Sequence, residues 1–376
     1  MMFRKPASQR WLLAGALAIG GVLVPLPASP FSASPVRAAE DEPVRADARA
    51  AIDKGLAWLA HNQKPDGTFP QGDQAGTTAV PSLVVMAFIA RGHVPGQGPY
   101  GEVLNKSIDY VLSSQQPDGL LSRHQGGNHV MYEHGISTVM LAEVYGMVDD
   151  ARRPMIGKAL AKSAAIIIKA QSAPKSNSDQ LGGWRYQVNS PDSDMSVTGW
   201  QMMALRGAAN CGAAIPKKVL EAGRQYVLRS VANDNSGGFG YQVHNGAKPT
   251  VTGTGVLMLE LFRGMDPDLA PGEHPKQALA GGEYLIKHPP DNLQSEFYYY
   301  AVYYISQAVN QLGGKYWDSV YTKLRETLLA QAQPDGTFAA PNGGQERDAG
   351  PAYRTAMAIL ALAVPYRYLP IYQNDN

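Results

Sequence analysis

The chain has a single cysteine, Cys211, among its 376 residues. One cysteine excludes an internal disulfide framework, and its surroundings do not follow the lipobox pattern, so no lipid anchor is expected. A buried structural role is the expectation for this thiol. An excess of one charge is also missing, because residues 39–376 carry 29 basic and 32 acidic side chains, a formal charge of −3. That balance excludes the broad basic field of a nucleic-acid-binding protein.

A long hydrophobic run is missing as well. The apolar stretch Leu12 to Leu26 is short and interrupted by glycine and proline, so it is not expected to span a membrane. Basic residues precede it and a small-residue site ends at Ala38, which predicts a signal peptide over residues 1–38. We therefore expect an exported protein, periplasmic or secreted, unless the segment is retained as an anchor. Residues 39–49 should be a polar lead-in and residues 368–376 a frayed tail.

Residues 54–69 contain the unit from which the rest of the chain is built. Ile52, Leu56 and Leu59 lie at helical spacing, which predicts an amphipathic helix. Pro-Asp-Gly at 65–67 then ends it, because proline cannot continue a helix and Asp-Gly favours a tight turn. The next segment, residues 77–88, is apolar on nearly every side, as in a helix buried all round. One unit is therefore an outer helix, a turn and an inner helix.

Degenerate copies of this unit recur along the chain. Gly67 and Gly119 are 52 residues apart, and Gly238 and Gly336 are 98 apart, close to two periods. The predicted outer and inner segments are 52–69 with 77–88, 106–120 with 136–145, 159–169 with 196–205, 219–228 with 251–261, 278–286 with 297–309, and 320–329 with 355–363. Such hairpins cannot bury their inner faces alone and must stack. Six of them predict an all-α fold, a closed α/α toroid over residues 50–367.

The pattern Lys-Gly-x-x-Trp-Leu-x-x-x-Gln-x-x-x-Gly-x-Phe at 54–69 resembles the Gln-Trp repeat of squalene and hopene cyclases. The whole set of units resembles the prenyltransferase and squalene oxidase repeat over about residues 50 to 365. This resemblance implies the six-hairpin barrel that triterpene cyclases share with the β subunits of protein prenyltransferases. A repeat specifies a scaffold more strongly than an activity, so the chemistry has to be sought in individual residues.

Inner helices of a hairpin ring run parallel, so their N-terminal ends gather at one mouth. The polar residues at or just before those starts are Thr77, Thr78, Tyr132, Glu133, His134, Asp192, Asp194, Thr250, Thr252, Glu296, Tyr353 and Arg354. Helix N-termini carry positive partial charge and stabilise carboxylates there. Each residue could simply cap its own helix. Their convergence from six units also predicts a polar site at the mouth.

Residues 182–195 contain the most specific candidate for a catalytic motif. They resemble the part of hopene cyclases in which a Gly-Gly-aromatic turn leads to Pro-Asp-x-Asp-Asp-Thr, whose middle aspartate protonates an alkene. Asp194 matches that middle position and Asp192 the first, while Met195 replaces the third carboxylate. Such an acid needs a dry pocket that keeps it protonated. The resemblance therefore implies Asp194 as the candidate acid, with its tuning neighbour missing.

Metal chemistry has less support. Protein prenyltransferases need a zinc site of Asp, Cys and His, whereas Cys211 falls at the far end of an inner helix. There is no Asp-Asp-x-x-Asp run of the kind that holds magnesium in ionising terpene synthases. His124, His129 and His134 are spaced by five residues, which suits a loop rather than one helical face. We therefore expect no metal and no cofactor.

Aromatic residues crowd the predicted inner helix at 297–304 and flank the turns of units three and four. Their ring faces stabilise carbocations and also stack on sugars, although buried rings are mostly packing. The candidate catalytic residues are Asp194, Asp192 and Glu133. The candidate substrate-binding residues are Tyr132, His134, Trp184, Tyr186, Glu296, Tyr299, Tyr353 and Arg354.

Three functions remain open from the sequence. The first is a barrel, similar to terpenoid cyclases or prenyltransferases, that binds or cyclises an isoprenoid or another small apolar ligand. The second is a non-catalytic binding or scaffolding barrel. The third is an exported carbohydrate-active enzyme, because α/α toroids also host such activities, with Glu133, Asp194 and Glu296 as acid and base.

Overall fold

The computed structural model describes residues 45–70, 76–124, 129–290, 293, 297–342 and 344–373. Helices alternate between an outer and an inner position along the chain. The five first pairs are α1 (Ala46–His61) with α2 (Ala79–Ala90), α3 (Gly101–Ser113) with α4 (Val130–Val144), α5 (Arg152–Gln171) with α6 (Met195–Asn210), α7 (Lys217–Arg229) with α8 (Pro249–Leu261), and α9 (Lys276–Lys287) with α10 (Tyr298–Leu312). In the sixth unit, α11 (Gly314–Tyr316) leads through a π-helical turn into α12 (Thr322–Ala330), and α13 (Gln345–Asp348) precedes α14 (Pro351–Leu362).

The two sets of helices differ in burial as the sequence pattern predicts. Nearly every residue of α2, α4, α6, α8, α10 and α14 is buried, whereas the outer helices bury one face. Each inner helix contacts the next, and α14 contacts α2, so the ring is closed. The prediction of an all-α, α/α toroid is confirmed. No helix in the described ranges is long and apolar enough to cross a membrane.

The recurring glutamine and glycine of the repeat join neighbouring units. Three glutamine side chains donate to backbone carbonyls of the next outer helix, from Gln63 to Val103 (2.7 Å), Gln115 to Ala159 (3.1 Å) and Gln171 to Val219 (2.9 Å). Gly182 has a φ of 85°, and a Cβ there would lie 2.1 Å from the carbonyl oxygen of Ala222. Only glycine permits this close approach, so the turn fixes the spacing between outer helices.

Several helix boundaries depart from the sequence-based prediction, and two departures affect the site and the barrel interior. Helix α4 begins at Val130, six residues before the predicted Ile136, because the polar run before Ile136 is itself helical and buried. Within the tail expected to fray from residue 368, residues 369–373 instead pack under the barrel, where Leu369 and Ile371 are buried. The expected signal peptide and most of the polar lead-in fall in residues 1–44, outside the described residues.

Candidate functional site

A cavity of about 350 Å³ lies inside the ring at the N-terminal ends of the inner helices. Helices α2, α4, α6, α8, α10 and α14 each contribute to its wall from their first turns, so the expected mouth is where the geometry brings them together. The lining residues are Ala79, Val80, Leu83, His129, Tyr132, Ile136, Tyr186, Ser196, Trp200, Tyr241, Lys248, Thr250, Val251, Phe297, Tyr300, Gln345, Glu346, Ala349, Tyr353 and Met357. Most of this wall is apolar or aromatic.

Two pairs of hydroxyl groups on this wall are linked by short hydrogen bonds. The Tyr132 hydroxyl lies 2.5 Å from Ser196 Oγ, and Ser196 Oγ donates to Asp194 Oδ1 at 2.7 Å. Because the serine proton is directed to the carboxylate, Tyr132 is the donor to serine. The hydroxyls of Tyr186 and Tyr241 are also 2.5 Å apart. The Tyr132 proton is therefore used within the wall, and the oxygen of this lining residue keeps its capacity to accept a hydrogen bond.

Glu346 is the acid that faces this cavity. It is 5% exposed, and its two oxygens accept the backbone N–H groups of Tyr299 (3.0 Å) and Tyr300 (2.8 Å) at the start of α10. The Tyr353 hydroxyl donates to it as well, at 3.2 Å. Burial raises the pKa of Glu346 to about 7, although the two backbone hydrogen bonds oppose that shift. The sequence reasoning missed this residue, although its position five residues before α14 was a usable signal.

Asp194 lies behind the wall rather than on it. It is fully buried as the N-cap of α6, where its Oδ1 accepts the Val197 N–H at 2.8 Å in addition to the serine bond. Burial raises its pKa to about 6, against the opposing effect of these hydrogen bonds and of Arg185. Arg185 Nη1 pairs with Asp192 at 2.9 Å, and its Nε lies 3.8 Å from Asp194 Oδ2. Asp192 is partly exposed and does not line the cavity.

Glu133 is also enclosed in the protein. Its carboxylate accepts the backbone N–H of Thr78 (3.0 Å), which precedes α2, together with Ser122 Oγ (3.1 Å) and the Arg123 N–H (3.3 Å). The His124 ring nitrogen lies 2.5 Å away. Glu133 is 1% exposed and does not line the cavity, so these contacts assign it to holding one helix start and the adjacent loop.

His134 uses both ring nitrogens on the backbone. Nδ1 accepts the Leu121 N–H at 3.0 Å, so Nε2 carries the proton that it donates to the carbonyl of Ser163 at 3.1 Å. The ring is fully buried, and burial lowers its pKa to about 4. His134 therefore joins α4 to α5 as a neutral group and is turned away from the cavity.

The remaining candidate binding residues divide into two sets. Tyr132, Tyr186 and Tyr353 line the cavity. Trp184, Tyr299 and Arg354 are buried elsewhere. The Trp184 ring N–H donates to the carbonyl of Ile167 (2.8 Å) and the Tyr299 hydroxyl to the carbonyl of Ala339 (2.6 Å). Arg354 Nε donates to the carbonyl of Phe338 at 3.4 Å. Glu296 lies outside the described residues. Tyr132 and Tyr353, each the third residue of its inner helix, thus reach the cavity, whereas Tyr299, the second residue of α10, does not.

Metal-ligating side chains do not gather in the described part of the chain. No group of three or more His, Cys, Asp or Glu residues there has the geometry to hold a metal ion. The rings of His124 and His129 are 6.4 Å apart, while both nitrogens of His134 are bound to the backbone. Cys211 is partly buried at the end of α6, and its thiol donates to the carbonyl of Ala142.

No protein-family model matches this sequence, and no curated protein is significantly similar to it. Solved structures do match. An inactive variant of the α-1,6-mannanase GH76A of Salegentibacter sp. HEL1_6, in complex with α-1,6-mannotriose, has a TM-score of 0.58 at 10% identity, over 85% of this chain and 99% of that chain.

A second match is a variant of the type II terpene cyclase MstE from Scytonema, in complex with geranylgeranyl dihydroxybenzoate. It has a TM-score of 0.51 at 12% identity, over 86% of this chain and 98% of that chain. A glycosidase variant matches with a TM-score of 0.53 at 12% identity, over the same shares. At these identities the likeness establishes the fold alone, and that fold hosts unrelated chemistries. The finer resemblance to the prenyltransferase repeat stays a prediction, and the chain is an α/α toroid similar to both classes of enzyme.

Proposed function

We propose that this protein binds a small apolar ligand of the isoprenoid class in the cavity at the mouth of the toroid. The observation that carries the proposal is the composition of the wall, in which Trp200, Phe297, five tyrosines and seven aliphatic or Met side chains outnumber the six polar or charged ones. Aromatic faces and aliphatic side chains favour an apolar, unsaturated chain. The acceptor oxygen of Tyr132 would recognise a hydroxyl group at one end of such a ligand.

The size of the cavity favours a short isoprenoid. Ligand pockets typically enclose about 300–1,000 Å³, and the cavity volume of about 350 Å³ is near the lower limit. A prenyl alcohol of a few isoprene units fits this range better than a folded triterpene. Farnesol is therefore the probe of choice.

The cavity also favours an isoprenoid over a glycan. Glycoside hydrolysis commonly uses a pair of carboxyl groups separated by about 5–10 Å. Glu346 is the single carboxyl group among the described lining residues, since Asp192, Asp194 and Glu133 are not part of the wall. Glu296 lies outside the described residues, and within them a single carboxyl in an aromatic pocket suits acid chemistry on an alkene better than it suits a glycosidic bond.

Any catalysis would use Glu346 as the acid rather than Asp194. In this step an alkene carbon of the ligand takes the carboxyl proton, which leaves a tertiary carbocation and a Glu346 carboxylate. Loss of a proton from an adjacent carbon to that carboxylate then forms a new double bond, so the reaction is an isomerisation or a ring closure without a co-reactant. The helix amides of Tyr299 and Tyr300 stabilise the carboxylate, and the surrounding rings stabilise the cation.

Binding is tested by titrating the purified protein with farnesol and, separately, with α-1,6-mannotriose, following tryptophan fluorescence. Ala79→Phe places a ring in the cavity, and Ala50→Phe on the exposed face of α1 is the matched control. We expect saturable farnesol binding that weakens at least tenfold in Ala79→Phe and is unchanged in Ala50→Phe. Equal binding by both variants would locate the ligand elsewhere, and binding of mannotriose alone would favour a carbohydrate-active protein.

The assignment of the acid is tested by incubating the protein with farnesol in D2O and measuring deuterium in the recovered ligand. We expect Glu346→Gln to lower incorporation at least 100-fold and Asp194→Asn to retain most of it, provided both variants bind farnesol. The assignment to Glu346 is wrong if a folded, farnesol-binding Asp194→Asn variant loses incorporation while Glu346→Gln keeps it.

A further inference from the structure

The C-terminal segment Leu369–Gln373 closes the end of the barrel opposite the cavity mouth. Side chains near the C-terminal ends of three inner helices bind its backbone. Glu143 Oε1 of α4 accepts the Ile371 N–H at 2.9 Å, and Gln311 Nε2 of α10 donates to the Tyr372 carbonyl at 3.0 Å. Arg206 of α6 donates to the Gln373 carbonyl at 3.4 Å. All three side chains are 7% exposed or less, and Leu369 and Ile371 of the segment are buried as well.

Within this segment, Tyr372 extends toward the cavity. Its hydroxyl is hydrogen-bonded to that of Tyr303 and lies 3.7 Å from Met203 Sδ. The Tyr303 ring stacks on Trp200, with ring centroids 5.6 Å apart and planes inclined by 9°. Trp200 in turn lines the cavity. A continuous column of three aromatic side chains therefore runs along the barrel interior from the C-terminal segment to the floor of the cavity.

We propose that the C-terminal segment determines the ligand length that the cavity accepts, with Tyr372 as the residue that holds the cavity floor. This inference rests on the proposed binding of an isoprenoid. Tyr303 and Trp200 are supported from below by Tyr372, so the floor cannot recede while that side chain is in place. Because interiors are closely packed, removing the supporting ring leaves a void into which Tyr303 and Trp200 can move. A longer apolar chain would then fit above them.

The segment lies outside the six hairpins, which favours a specificity role that can be altered without opening the ring. Leu369–Gln373 follows α14, the last inner helix, and α14 already contacts α2 to complete the ring. None of the glutamine and glycine contacts that join the outer helices involves it. Changes to Tyr372 should therefore act on the barrel interior and leave the hairpin ring intact.

The experiment compares farnesol with geranylgeraniol, which is one isoprene unit longer. The variants are Tyr372→Ala, the milder Tyr372→Leu, and the matched control Tyr368→Ala, whose ring is 50% exposed. We expect Tyr372→Ala to shift the ratio of the two dissociation constants at least tenfold toward geranylgeraniol. Tyr372→Leu should shift it less, and Tyr368→Ala should leave it unchanged. An unaltered ratio in folded Tyr372 variants overturns the inference.

A second readout separates this inference from the proposed function. Xenon enters apolar cavities without specific recognition, so xenon binding above Trp200, located by crystallography under xenon pressure and distinguished from xenon in the void left by the Tyr372 ring, reports the space above the floor in the absence of any isoprenoid. We expect stronger xenon binding in Tyr372→Ala than in the wild type or Tyr368→Ala. If neither alcohol binds to any variant but xenon binding rises, the proposed function fails and the floor role stands. Unchanged xenon binding overturns the floor role itself.

Discussion

The two ends of the barrel carry opposite partial charges, because the inner helices are parallel. At the mouth, the inner helices present N–H groups with positive partial charge, and the carboxylates of Glu133, Asp194 and Glu346 bind them. At the opposite end of the barrel the inner helices present carbonyl groups, and Arg206 donates to the carbonyl of Leu261. The mouth thus collects acids and keeps a cavity, whereas the opposite end carries both Arg206 and the acid Glu143 and is filled by the C-terminal segment.

A buried glutamate has different partners at the two ends of the barrel. Glu346 has two helix amides on its carboxylate and a pKa raised to about 7 by burial. Glu143 lies near the floor, where burial raises its pKa to about 8 and one backbone amide and Arg206 oppose the shift. Both acids therefore have raised pKa values, but their surroundings differ. Glu346 borders the cavity, which suits proton transfer, while Glu143 holds the C-terminal segment.

The largest expected effect comes from removing the C-terminal segment. A chain that ends at Tyr368 loses Leu369, Ile371 and Tyr372 from the barrel interior. Full burial of a large apolar side chain contributes about 1.5–3 kcal/mol, which for three side chains is about 4.5–9 kcal/mol, so we expect the free energy of unfolding to fall by at least about 4 kcal/mol. Urea denaturation followed by circular dichroism measures it. A loss below about 1 kcal/mol would show that the segment does not support the barrel.

At the mouth, the loss of unfolding free energy on removing a carboxylate should depend on whether that carboxylate is enclosed in protein or borders the cavity. Glu133→Ala leaves the Thr78 amide and other buried donors without an acceptor, and unsatisfied buried groups cost about 1–3 kcal/mol each. We expect a loss of about 3 kcal/mol. Glu346→Ala frees the amides of Tyr299 and Tyr300 beside a cavity that water can enter, so about 1–2 kcal/mol should suffice. Equal losses in denaturation experiments would contradict the distinction between enclosed and cavity-facing caps.

Glu143, which binds the C-terminal segment, should also make the stability of the protein depend on pH. The pKa of Glu143 is higher in the folded protein than its usual value of 4.5, so the folded state binds more protons than the unfolded state between about pH 4.5 and 8. Its contribution is present below that range and is lost as the pH rises toward 8. Melting temperatures from pH 5 to 9 should therefore fall less steeply for Glu143→Gln than for the wild type. A steeper fall in the variant would reverse the sign of the argument.

The smallest effect is expected on the outer surface. Arg91 Nε pairs with Asp53 Oδ1 at 2.9 Å between the first outer and inner helices, and the Asp53 side chain is 49% exposed. Exposed ion pairs contribute about 0–1 kcal/mol. Asp53→Asn should change the unfolding free energy by about 0.5 kcal/mol or less, and added salt should reduce the difference further. A change as large as that of Glu133→Ala would mean that outer-surface charges matter as much as the caps.

The fold was largely readable from the sequence because its information is local and repeated. Proline, glycine and the apolar period set each hairpin, and their recurrence six times predicted the ring. The site was only partly readable, because helical rotation decides whether a polar residue near a helix start faces the cavity or the wall. Tyr132 and Tyr353 face the cavity, whereas Glu133 and Arg354, one position further along, do not.

Long-range contacts were beyond the reach of the sequence. Glu346 lies five residues before an inner helix, but its contact with the start of α10 depends on the closed ring. The C-terminal segment has no repeat pattern, so nothing in its composition indicated that Ile371 and Tyr372 reach residues of α4, α6 and α10.

The binding of an apolar isoprenoid inside the barrel is the central claim, and a crystal structure of the protein grown with farnesol tests it most directly. We predict electron density for the ligand between Tyr132, Trp200 and Tyr353, with its hydroxyl group within hydrogen-bond distance of a wall oxygen. Farnesol bound only on the outer helices, or an empty cavity under saturating farnesol, would contradict the account.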